Sequence, residues 1–215
     1  MYRAVLVLCS LALLSTDGRA ASLPVVGDVE WPAFRRHCQG LLEVLHKLDA
    51  PLPAQTVKAV RALLAQKAPK DSAEAARAVQ KLLDPHCLIG VNINPQSRVK
   101  AARGPRRAAL IRDRTVHVLI KVHNEGGVTH GLSAGSPQMV EPKKKGRDRW
   151  LELAVVDRQP LGKRLSGSKV EYRVLALTAR QSGKREATLV FDVGQGSQDL
   201  GYRAEVPILF TVRPR

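Results

Sequence analysis

The chain has 215 residues, of which 44% are hydrophobic, and its 35 Lys and Arg outnumber 19 Asp and Glu for a formal net charge of +16. The apolar fraction supports a folded core, and the charge surplus favours anionic partners. Only 4% of residues are aromatic, which argues against nucleic acid, because its binders interleave aromatic rings that stack on bases.

Residues 1–20 read as a secretory signal. Arg3 gives a short basic start, Ala4 to Leu14 is an apolar run, and Gly18 and Ala20 are spaced for cleavage after Ala20. The run is too short to span a bilayer. The expectation is a secreted or periplasmic (cell-envelope) protein. Removing this segment takes the charge to +15 and leaves no apolar run long enough for a membrane span.

Residues 21–30 form an extended lead. From Trp31 to Leu48 the period turns helical, with Phe34, Cys38, Leu41, Leu45 and Leu48 recurring at three or four. Pro32 suits a first turn, and the prolines after Asp49 end the helix. A second helix is predicted from about Ala54 to Gln66. Asp71 and Glu74 are spaced as an N-cap and its reciprocal partner, and open a third helix that Asp84-Pro85 stops. These three short helices, residues 31–86, bury little apolar surface alone. Once the signal is removed only Cys38 and Cys87 remain. In a compartment that permits disulfides, a bridge between them would close a loop of roughly fifty residues and contribute about 3–4 kcal/mol. The same cysteines follow His37 and His86, a possible zinc set. Adjacent helical residues point about 100° apart, however, and zinc ligands are usually spaced by two to four, so the reading is a disulfide and no metal or cofactor.

From Leu88 the period becomes two. Val91 and Ile93 start a strand, Arg98 to Arg114 is basic with a short strand at its start, and Thr115 to His123 alternates cleanly. In that last strand Val116, Val118, Ile120 and Val122 face one way, and His117, Lys121 and His123 face an outer, solvated side. A strand near Leu132, then Trp150 to Val156 and Val170 to Ala179, follow. A final pair runs from Ala187 to Val193 and from Val206 to Val212 across a glycine-rich loop. Six or seven strands with no helix between them predict an α+β chain: a three-helix segment followed, over 87–215, by an antiparallel β-sandwich of immunoglobulin-like architecture. His117 and His123 lie about 20 Å apart along their strand and share no ligand. There is no G-x-S-x-G elbow, H-E-x-x-H or P-loop, so no catalytic residue is assigned.

Two basic groups are candidates for an anion-binding surface. One includes Arg106 and Arg107 beside Arg98, Lys100 and Arg103; the other is Lys143, Lys144, Lys145, Arg147 and Arg149. They form one surface if the fold brings both to one end.

The segments KLLDPHCLIGVNINPQSRVKAARGP, VLIKVHNEGGVTH, KVEYRVLAL and GKREATLVFDVGQGSQDLGYRAEVPILFTV, with the paired His-Cys dipeptides, resemble the N-terminal accessory region of large secreted bacterial metallohydrolases of the PHP (polymerase and histidinol phosphatase-like) type. In that family the catalytic metal ligands lie in a downstream domain, whereas this sequence stops at Arg215. The resemblance therefore implies an accessory module. The expected function is a non-catalytic module binding a protein or an anionic envelope polysaccharide. The alternatives are a small metal-dependent enzyme using His37, Cys38, His86 and Cys87, or a ligand-free remnant of the larger hydrolase.

Overall fold

The computed structural model describes residues 22–140, 149–162, 164–194 and 200–215. The predicted signal, 1–20, and Lys143, Lys144, Lys145 and Arg147 lie outside them. Three helices open the described chain: α1 (Trp31–Lys47), α2 (Ala54–Ala65) and α3 (Ser72–Leu83). Their ends follow local chemistry. Pro32 sits in the first turn of α1. Asp71 caps α3, its carboxylate accepting the Glu74 N–H at 2.8 Å. The reciprocal half of the box is not made, because the Glu74 side chain turns to Arg77 at 2.9 Å. α1 closes in a Schellman motif: the Asp49 N–H donates to the His46 carbonyl, and that of Ala50 to the Leu45 carbonyl, both at 3.0 Å. Asp49 takes the left-handed position at φ 51°.

Nine strands follow: β1 (Cys87–Ile93), β2 (Val99–Arg103), β3 (Ala109–Ile111), β4 (Thr115–Asn124), β5 (Ser133–Gly135), β6 (Leu151–Val155), β7 (Val170–Ala179), β8 (Gly183–Asp192) and β9 (Arg203–Arg213). They build two sheets, ordered β2-β1-β4-β7-β6 and β3-β9-β8-β5. The predicted pair at the C-terminal end is present as β8 and β9, in antiparallel register from Gly183↔Val212 to Asp192↔Arg203. The expectation of purely antiparallel sheets is corrected. β1 pairs with β4 in parallel, and β3 with β9 in parallel, so both sheets are mixed. The reason is that β2 and β3 are a detour. In the first sheet the chain leaves β1, turns back antiparallel as β2, crosses to the second sheet as β3, and re-enters on the other side of β1 as β4 in the direction of β1.

The alternation of β4 divides two interiors. Val118, Ile120 and Val122 face the second sheet, in a core shared with Leu175 and Leu177 of β7 and with Leu189, Phe191, Ile208 and Phe210. Trp150 meets Phe210 edge-on there at 5.8 Å. Leu119 faces the other way, into a second core with Val170, Tyr172 and Val174 of β7 and Phe34, Cys38, Leu41, Val79 and Leu83 of the helices. The helices thus lie on the outer face of the five-stranded sheet, and that face is not solvated as predicted: Lys121 is only 3% exposed. The second sheet keeps an open outer face, along which every odd-numbered residue of β9 is exposed.

The predicted Cys38–Cys87 bridge is also corrected, since both are free, buried thiols. Cys87 Sγ turns back toward the Leu83 carbonyl at 3.7 Å, while Cys38 packs in the face of α1. Apolar packing on β7, rather than a covalent tie, holds the helices.

Candidate functional site: a basic end and its cleft

Outside the inter-sheet core, the chemistry-bearing side chains fall into two groups, one buried and structural, the other exposed and basic. In the buried group, Lys121 Nζ donates to Asp84 Oδ2 and to the Pro24 carbonyl, each at 2.7 Å, and the Tyr172 hydroxyl donates to Asp84 Oδ1 at 2.7 Å. Burial pushes the Asp84 carboxyl above its ordinary range, against the opposing pull of Lys121 and Tyr172. Gln80 clamps the lead, its amide exchanging hydrogen bonds with the N–H and carbonyl of Val26, both at 2.9 Å. These contacts tie the lead, α3, β4 and β7 together.

The paired His-Cys dipeptides do not converge. His37 Nε2 accepts the Tyr172 N–H at 2.8 Å, where β7 runs on beyond the end of its β6 partner. It finishes an otherwise open strand edge. Its pKa is lowered to about 4, first by burial and then by the Arg173 charge. His86 Nε2 lies 3.3 Å from Thr56 Oγ1, with its pKa lowered by partial burial and by Arg106. Burial raises both thiols, removing thiolate character. Among the described residues no three His, Cys, Asp or Glu side chains are grouped to hold a metal ion. His123 pairs with Asn92 at 3.0 Å rather than with His117.

The basic group is assembled by strand register. β1 and β4 start at one end of the five-stranded sheet, where β2 and β7 finish and β6 begins. β3 and the end of β9 join them, Arg112 N–H donating to the Arg213 carbonyl at 2.8 Å. Thus Arg106 and Arg107, which follow β2, share an end with Arg149, which precedes β6, as well as with Arg112, Arg114 and Arg213. Two carboxylates there are already engaged: Asp113 with Arg112 and Arg180 at 3.4 and 3.2 Å, and Glu152 with Arg180 at 2.9 Å. The sequence named Arg106, Arg107 and Arg149. It missed Arg112, Arg114 and Arg213, whose shared position depends on the parallel β3–β9 pairing and has no local signal.

Each candidate then takes its own role. Arg149 Nη1 donates to the Met139 carbonyl at 2.9 Å. Arg103 is structural: its guanidinium binds the carbonyls of Leu88 at 2.9 Å, of Gly104, and of Arg106. This fastens the turn after β2. Gly104 is required in that turn, since a Cβ would stand 2.4 Å from the Cys87 carbonyl oxygen. So held, Arg106 and Arg107 face different hollows. Arg107 lines a groove of about 570 Å³ with Arg213, Pro207 and Leu209. Arg106 lines a cleft of about 730 Å³ between the α1–α2 connection and the start of β4, with His86, Arg114 and His117 around it. Partial burial lowers the pKa of Arg106, and of His117 together with the Arg158 charge.

Comparison with protein families and with curated proteins finds no match. Among solved structures, the chain is similar to PbICP-C in its complex with falcipain-2 at 11% identity and a TM-score of 0.29, over 49% of this chain and 84% of that one. It is similar to the ASH/PapD-like domain 7 of human CEP192 at 8% identity and a TM-score of 0.30, over 61% of this chain and 87% of that one. At such scores neither likeness bears on activity. What the fold defines is a β-rich α+β protein in three layers, helices on a five-stranded sheet on a four-stranded sheet. No described helix is long and apolar enough to cross a membrane.

Proposed function

We propose that the protein is a secreted or cell-envelope, non-catalytic binding module that recognises an anionic polysaccharide through the basic end of its two sheets, in an immunoglobulin-like sandwich arrangement. The observation that carries this reading is the convergence of Arg106, Arg107, Arg112, Arg114 and Arg213 on one end, where the nearby carboxylates Asp113 and Glu152 are already engaged by Arg112 and Arg180. Such a surface concentrates polyanions and loses its hold as salt screens it. Lys143, Lys144, Lys145 and Arg147 precede Arg149 in the sequence and lie outside the described residues.

The test is retention on a sulfated polysaccharide against an uncharged dextran. The expected result is salt-sensitive retention of the wild type on the sulfated polymer alone. In the R107Q/R114Q/R213Q variant, affinity falls by about tenfold or more, at roughly 0.5–1 kcal/mol per exposed charge. The Lys143–Lys145 triple alanine variant also weakens. Equal retention of wild type and variants refutes the reading. Tighter binding to single-stranded DNA than to the polysaccharide replaces the ligand class with nucleic acid.

A further inference from the structure

The Arg106 cleft differs chemically from the rest of the basic end. A surface that reads a linear polyanion needs only exposed charge, and most of the basic end offers that. The cleft is concave, and one part of its mixed polar and apolar wall is aliphatic: Leu48, Leu52 and Val116 line it beside Ile111, which is 36% exposed. Arg106 and Arg114 line the same cleft. Among the described residues the Arg106 guanidinium makes no hydrogen bond or ion pair, and neither does that of Arg114. His86 and His117 stand with them, and the sole carboxylate in the lining, Asp49, is exposed at the rim.

An arginine half withdrawn from water, crowded by other cations and left without a carboxylate is costly unless something anionic joins it. Arg103 Nη1 and Nη2 fix the turn that puts Arg106 there, which gives the position the support a binding residue needs. The cleft volume of about 730 Å³ lies in the range of small-molecule sites, which combine an apolar lining with a few placed polar groups. We propose that the cleft binds a single-chain amphiphile with an anionic carboxylate head, its head on Arg106 and its alkyl chain along the Leu48, Leu52, Ile111 and Val116 wall. This rests on the same reading of the basic end as an anion-binding surface and names a second, smaller ligand for its concave part. Arg114 closes over the head from the exposed side.

The experiment is calorimetric titration of the full chain with dodecanoate below its micelle concentration, with acetate and dodecanol as partial ligands, alongside polysaccharide retention of the same preparations. Dodecanoate binds, and acetate and dodecanol each bind at least about tenfold more weakly, since each lacks one half of the match. R106Q weakens dodecanoate by about tenfold or more. Ile111→Ser, an exposed substitution that leaves the fold intact, weakens it by a few-fold. Failure of dodecanoate to bind while polysaccharide retention persists overturns the cleft ligand and leaves the polymer reading standing. Equal dodecanoate binding by wild type and R106Q also overturns it. Arg106-dependent dodecanoate binding without polysaccharide retention upholds the cleft and defeats the polymer reading.

Discussion

The two faces of the five-stranded sheet are both buried, but they are held in different ways. Its inner face meets the second sheet mainly through aliphatic and aromatic side chains; its buried polar groups among the described residues are the Glu171–Arg173 pair near the start of β7, at 2.5 Å, and Asn124 at the end of β4, bonded to Val128. Its outer face meets the helices through a mixture: Phe34 and Leu41 pack beside Lys121, Asp84, Tyr172, Gln80 and His37, each with a directional partner. Apolar contact is non-directional and indifferent to pH, whereas buried hydrogen-bonded charge fixes position and responds to protons. The inner face therefore carries bulk stability. The outer face carries register, seating the helices and lead at one place on the sheet.

That contrast can be broken most forcefully by two truncations. Phe210→Ala, in β9 packed against the inner face, costs about 3–5 kcal/mol, and Lys121→Met on the outer face, by leaving Asp84 buried without its cation, costs a similar ~3–5 kcal/mol. They part in the second step. The double change Lys121→Met with Asp84→Leu recovers part of the outer-face loss, because no buried charge is left unpaired, while the buried Tyr172 hydroxyl, deprived of Asp84, keeps the recovery from being complete. No single neighbour substitution does this for Phe210. Urea unfolding of the three variants and the wild type checks it, and an unrecovered double variant would remove the distinction.

Proton dependence sharpens it next. His37 has a folded pKa of about 4, below the unfolded value of about 6.5, so the unfolded chain takes up the proton first. Its contribution is complete above pH 6.5, falls as pH drops, and is lost by pH 4, a difference of about 3 kcal/mol. Asp84, whose pKa is raised, works in the opposite direction, so the wild-type profile alone does not isolate His37. In His37→Gln, which keeps an acceptor for the Tyr172 N–H, the stability loss between pH 7 and pH 4 shrinks by about that amount. Equal acid sensitivity in the two proteins would place the responsible proton elsewhere. The smallest effect lies at the end of α1, where Asp49→Gly relieves the left-handed strain and raises stability by about 0.5–1 kcal/mol, seen as a small increase in Tm.

Local pattern carried much of this to the reader of the sequence. The bounds of α1 and α2, the Asp71 cap, the alternation of β4 and the β8–β9 pair all depend on near neighbours, and all are found. What failed depends on distant partners. Lys121 looks like any outward strand residue, because alternation tells that two faces differ and not what covers the polar one. The parallel β1–β4 pairing leaves no mark in either strand, and β3 is three residues inside a basic stretch. Compartment and number pair the cysteines, yet each is enclosed by its own packing. Within the site, Arg106 and Arg107 were legible as charge, but their division between two hollows comes from the Arg103 clamp and Gly104, which no spacing announces.

The most direct measurement of the basic-end account is the salt dependence of binding to a sulfated polysaccharide, by titration from about 50 to 300 mM NaCl, for the wild type and R107Q/R114Q/R213Q. The account predicts that affinity falls steeply with salt in the wild type, and that the variant binds more weakly with a visibly shallower slope, since fewer charges are there to be screened. A variant with the wild-type affinity and slope, correctly folded, would contradict it.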